Sequence, residues 1–104
     1  MSQASIPART RTYALARAKA AAAALREVGV VALITGSLAD GTFDEGSDVD
    51  LLITECPRRL KYAIEGVVDD CLGGLPFDVI YLDEIPPRKL ASFLGKAHDV
   101  STLG

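Results

Sequence analysis

Asp48 and Asp50 are separated by a single residue, and a Gly36-Ser37 pair stands ten residues ahead of them. On a strand, residues i and i+2 project from one face, so the two carboxylates stand side by side while Val49 and Leu51 point the other way. Two carboxylates that close do not both stay ionised without a cation between them. A divalent cation such as Mg2+, which takes oxygen ligands, suits the pair. Gly36 lets the backbone approach a ligand, and Ser37 offers a hydroxyl and an N–H where one helical turn could start, a combination that suits a phosphate. A phosphate cradle beside a metal-binding pair is the hardware of nucleotidyl transfer. A third acid, Asp78, interrupts the apolar run LPFDVIYL; buried alone it would be costly, and a shared metal would hold it.

Each feature also has a plain reading. The aspartate pair could be solvated where a loop meets a strand, Gly-Ser could be a strand-ending turn with a serine cap, and Asp78 could face water from an edge strand. The conjunction at this spacing favours the site. Competing motifs fail: an EF-hand loop begun at Asp44 has Val49 where glycine is needed, a phosphatase D-x-D-x-T has Leu52 in place of threonine, and no Walker G-K-S or G-K-T occurs.

The elements that must position these groups follow from periodicity. Tyr13 to Val28 carries apolar residues at Leu15, Ala18, Ala22, Leu25 and Val28, three and four apart, which predicts a helix capped by Thr10 or Thr12 and ended by Gly29. Val30 to Thr35 reads as an internal strand apolar on both faces. Gly36 to Gly46 is a loop with a helical turn from Ser37, and Asp48 to Thr54 a second strand entering a buried environment at its polar start. Arg58 to Leu72 after Pro57 is a second helix closed by Gly73-Gly74, Leu75 to Leu82 a third strand, and Arg88 to Ala97 a last helix behind Pro86-Pro87. The fold class is α/β, more narrowly α+β: a small mixed sheet backed by helices, in the order α-β-β-α-β-α.

Composition narrows the class. The chain has 104 residues, 49% of them apolar, which suits a single globular domain spanning 1–104 with a small core. No apolar run is long enough for a membrane-spanning helix. The acid-free, arginine-bearing first residues also fit a transit peptide, but a first helix explains them without cleavage. Cys56 and Cys71 lack partners at metal spacing and read as idle thiols of a reducing cytoplasm. The charge is segregated. Residues 1–26 hold five bases and no acid, whereas 27–57 hold seven acids and no base. A divalent cation among the acids of 40–50 is the economical way to relieve their repulsion, although Asp40, Asp44 and Glu45 read as solvated loop acids. His98, the only histidine, reads as a surface residue.

The string GSLADGTFDEGSDVDLLI resembles the signature of the minimal nucleotidyltransferases in the DNA polymerase beta superfamily, with Ala39, Gly41 and Ser47 also matching residues often found there. The resemblance covers about Val30 to Leu82. It implies a nucleotidyltransferase fold, two Mg2+ ions (or Mn2+) on Asp48 and Asp50, Asp78 as a third carboxylate that assists deprotonation of the acceptor, and Gly36, Ser37 and Ser47 at the nucleotide, ATP. Asp40 departs from the pattern, since relatives frequently carry arginine there. Larger relatives bind substrate with an added helical domain for which these residues leave no room, so recognition is expected from a partner chain or a second copy. Minimal members are often antitoxins of helical HEPN-type ribonuclease toxins and transfer AMP to a toxin tyrosine, which implies such a partner here and no direct nucleic-acid binding. A catalytically silent binding module and an antibiotic-modifying nucleotidyltransferase are the alternatives.

Overall fold

The computed structural model describes residues 10–103. Residues 1–9, part of the arginine-bearing stretch that also fits a transit peptide, and Gly104 lie outside that range. Helix α1 (Arg11–Glu27) starts where the Thr10 hydroxyl accepts the Tyr13 N–H at 3.2 Å. Ala14, Leu15, Ala18, Ala21 and Leu25 are its buried face. Val28, expected on that face, is 45% exposed because it is the C-cap, past the last helical turn, and has left the helical period. Gly29 then turns the chain at φ +85°.

Strands β1 (Val31–Thr35), β2 (Val49–Glu55) and β3 (Phe77–Tyr81) form one mixed sheet in the order β1-β2-β3, with β1 antiparallel and β3 parallel to β2. The internal position expected for β1 belongs to β2. The outer side of β1 is closed at Ile34, whose backbone exchanges hydrogen bonds of 2.7 and 2.8 Å with His98. Along β2, Val49, Leu51 and Ile53 enter the main core with Ala18, Ala21 and Leu25 of α1. Asp50 and Leu52 alternate onto the other face. Each fully buried leucine, such as Leu25 or Leu51, contributes about 2 kcal/mol.

Between β1 and β2 lies α2 (Gly36–Asp40), one helical turn that begins a residue earlier than expected. The expected continuous helix from Arg58 to Leu72 is broken. A 3-10 turn covers Arg58–Leu60, Tyr62 adopts φ +68°, and α3 runs only from Glu65 to Leu72. Tertiary bonds override the helical pattern: Tyr62 N–H donates to the Tyr81 hydroxyl at 2.9 Å, and the Tyr62 hydroxyl bonds Glu84. Helix α3 packs on α1, where its C-terminal Cys71 carbonyl accepts Arg17 Nε at 2.7 Å. Helix α4 (Pro87–Lys96) buries none of its residues and packs chiefly against α2. Among the described residues the result is an α+β fold of three strands and four α-helices. No helix among the described residues is long and apolar enough to cross a membrane.

Candidate active site

The sheet register brings the sequence motifs into one row. Thr35, the last residue of β1, pairs with Asp50, and Asp50 pairs with Asp78 across the parallel strands. Laterally paired residues share a face, and neighbouring strands lie about 4.8 Å apart, so Asp50 and Asp78 stand side by side. Asp78 is exposed on the edge strand β3, and Asp50 is half-buried on the central strand. Asp48, where the strand was expected to begin, is exposed and lies one residue ahead of β2. Val49 N–H fixes that point by donating to the Pro76 carbonyl at 2.9 Å.

Gly36 meets this row directly. It adopts φ +71°, and a Cβ built there would overlap Asp50 Oδ2 and lie 3.2 Å from the carboxylate carbon. Only glycine allows both the backbone conformation and the proximity. The first residue of the Gly-Ser turn and the second residue of the aspartate pair are therefore in contact. Ser37 follows in the first turn of α2, half-buried, and its carbonyl accepts the N–H groups of Gly41 and Thr42 at 3.0 and 3.1 Å.

The intervening loop holds itself together. Asp40 accepts from the Thr42 N–H at 2.9 Å and hydroxyl at 2.6 Å, which lowers its pKa from the ordinary carboxylate value. Asp44 Oδ1 accepts from Gly46 N–H at 2.9 Å and from the Ser47 hydroxyl at 3.2 Å, and Ser47 Oγ accepts the Asp44 N–H at 3.1 Å. The Ser47 hydroxyl thus closes the loop, and Phe43 anchors it in the core.

Asp50 has its pKa raised, first by burial, then by the charges of Asp78 and Asp48. Among the described residues the ion pairs are those of Lys61, so no cation answers the three acids. Their donor chemistry suits a hard divalent ion. As placed, however, no three carboxylate, histidine or cysteine side chains among the described residues form a group that could hold one ion. The structure brings Gly36, Asp50 and Asp78 together and leaves Asp48 at the rim.

A second polar cluster, which the sequence did not signal, occupies the other end of β2 and β3. Lys61 bridges Asp83 at 2.9 Å and Glu84 at 3.1 Å, and its ammonium lies 5.4 and 5.3 Å from the ring centres of Tyr62 and Tyr81. These contacts raise the Lys61 pKa, chiefly through the hydrogen bond to Asp83. A cavity of about 480 Å³ opens beside it, lined by Thr54, Cys56, Arg58, Lys61, Tyr81 and Asp83 among others. Arg11 is a further residue without a sequence signal; it donates to the Leu38 carbonyl at 3.4 Å and ties the start of α1 to α2.

Residues 17–100 match the nucleotidyltransferase domain family. A solved structure provisionally described as a minimal nucleotidyltransferase superposes with a TM-score of 0.66 at 28% identity, covering 79% of this chain and 87% of the other. No curated protein sequence matches the chain. With the family pattern spanning both the Gly-Ser turn and the carboxylate row, this chain belongs to the nucleotidyltransferase domain family.

Proposed function

We propose that this chain transfers AMP from ATP to a hydroxyl of a partner protein, as the antitoxin of a HEPN-type ribonuclease toxin in the cytoplasm. The carrying observation is the contact of Gly36 with Asp50 within the Thr35-Asp50-Asp78 row. It puts the backbone that would approach phosphate against the carboxylate that would hold a metal. Asp48, Asp50 and Asp78 would hold two Mg2+ ions, or Mn2+. Bound there, the ions supply charge neutralisation at the reacting phosphate and at the oxygens that attack and leave. Gly36 admits the triphosphate close to the main chain, and Ser37 donates to its β and γ oxygens. Asp78, open to solvent, receives the proton of the acceptor hydroxyl. The acceptor oxygen bonds the α-phosphorus as the bond to the bridging oxygen breaks, and pyrophosphate leaves. Work of this kind is positioning and electrostatics. Exposure of Asp48 and Asp78 supports an acceptor carried on a protein surface.

One observation favours a second reading. The three carboxylates do not converge as placed, which suits a silent module that neutralises its partner by contact. Incubation with ATP labelled at the α-phosphate, Mg2+ and a HEPN-type protein separates the two. Label on the partner, lost in Asp50→Asn, supports transfer. Binding of the partner without transfer, equal in wild type and Asp48→Asn, supports the silent module, and label on an added antibiotic would redirect the substrate class.

A further inference from the structure

Helix α1 leaves a depression on the side opposite Arg17, the residue that bonds α3. Lys19 and Arg26 stand seven residues apart on that side, two helical turns or about 10.5 Å along the axis. Between them come Ala22 and Ala23, whose side chains are single methyl groups. Two long cationic side chains flank a gap that nothing on the helix fills. The chain beside it leaves the gap open as well, since Ala32 of β1 is equally small. A cavity of about 390 Å³ results, closed on its far side by Asp99, Val100 and Ser101. Ala22, Ala23, Val30, Ala32 and Val100 make its floor apolar. The volume lies within the roughly 300–1,000 Å³ of sites that hold small organic molecules.

The far wall is held in place by its own bonds. Asp99 Oδ1 accepts from the Ser101 N–H at 2.9 Å and hydroxyl at 2.7 Å, which caps the 3-10 turn Val100–Thr102. His98, just ahead of it, exchanges the backbone bonds with Ile34 that close β1. Ala32 pairs with Ile53, three residues beyond Asp50, so the cavity lies on the sheet face opposite the carboxylate row. Its charge is unbalanced. Neither Lys19 nor Arg26 forms an ion pair among the described residues, and residues 1–9 and 104 contain no Asp or Glu. Asp99 is the acid on the lining, and its pKa is lowered first by Ser101 and then by Arg26, which does not reach ion-pair distance. Two cations face one acid whose Oδ1 is already taken.

We infer that this cavity binds a small organic anion with an apolar body, its charged group held between the Lys19 ammonium and the Arg26 guanidinium and its body lying on the alanine and valine floor. Charge selects the head: a cation would meet two like charges, and a neutral molecule would leave both unanswered. The floor selects the body, because a bare inorganic anion would leave that apolar surface in water. Lysine and arginine suit the task, since their methylene stems extend the apolar surface towards their charged ends.

The test is a heteronuclear NMR titration of the isotope-labelled full chain with naphthalene sulfonate as the probe. Amide resonances of residues 19–26, 30–32 and 99–101 should shift together and saturate, with a dissociation constant below about 1 mM, the range open to a probe of this size. Naphthylmethylammonium, of like shape and opposite charge, and inorganic sulfate, the head without the body, should each bind at least about 10-fold more weakly. Lys19→Gln/Arg26→Gln should weaken the sulfonate at least about 10-fold, and glutamine, a good helix former, keeps α1 intact. Ala23→Leu, at an exposed helical position, should abolish binding by covering the floor, with circular dichroism to confirm the fold. Arg58→Gln, in the cavity beside Lys61, should change nothing. Absence of a saturable shift with the sulfonate overturns the inference. So does equal binding of the ammonium or of sulfate, a shift pattern centred elsewhere, unchanged affinity in Lys19→Gln/Arg26→Gln or in Ala23→Leu, or an equal loss in Arg58→Gln.

Discussion

The two ends of the parallel β2–β3 pair both concentrate acids, and they treat them differently. At the far end Asp83 and Glu84 share Lys61, and Tyr62 donates its hydroxyl to Glu84. At the near end Asp48, Asp50 and Asp78 have no basic partner among the described residues, and Asp50 is partly buried beside Gly36. Acids that are already paired add to the fold, whereas acids left facing one another lower its stability until something positive arrives. The difference marks the near end as the place for ligands. It also marks the far end as structural.

The sharpest break of this contrast is a pair of substitutions. Asp50→Asn should lower transfer by about three orders of magnitude, while Lys61→Met should leave the rate within about twofold, measured by label transfer at saturating ATP. Next in size, Gly36→Ala should lower transfer about 100-fold and cost about 1–2 kcal/mol in urea unfolding, because a methyl group there requires both a strained φ and a displaced Asp50. Mg2+ should then raise the melting temperature. At 100 times its dissociation constant the gain is about 2.7 kcal/mol, lost in Asp50→Asn and kept in Lys61→Met.

The smallest effect is in pH, and its sign differs between the ends. Without metal, Asp50 has a raised folded pKa, so the native state binds its proton more tightly than the unfolded chain does. Its contribution grows as pH falls through that raised value. Glu84 has a lowered pKa, first from the Tyr62 hydroxyl and then from Lys61, so its contribution is present above the ordinary carboxylate value and is lost as pH falls through the depressed one. Chelator-treated Asp50→Asn should therefore lose more stability on acidification than wild type, and Glu84→Gln should lose less. Thermal melts across the acidic range check both.

Much of the site was legible because its determinants are local. Gly36-Ser37 and Asp48-Val49-Asp50 announce a turn and a same-face pair through spacing alone, and the strand read around Asp78 needed only the parallel register to set it beside Asp50. What stayed hidden depends on contacts distant in sequence. Tyr62 breaks a helix that Leu60, Ile64 and Val67 would otherwise support, because Tyr81 and Glu84 reward a conformation that no local rule favours. The bonds between Ile34 and His98, which close the outer side of β1, are backbone bonds and leave no trace in residue type. Leu90, Phe93 and Leu94 of α4 recur at helical spacing, but periodicity does not tell whether such a stripe is covered, and none of the three is buried.

The crowding at Gly36 has one more consequence. Main chain at 36 and carboxylate at 50 fill a common space, so neither is displaced without disturbing its neighbour. Two ligands, one seated on each, would report their presence to one another through that shared wall, and by reciprocity whichever came first would change the affinity for the second by the same factor.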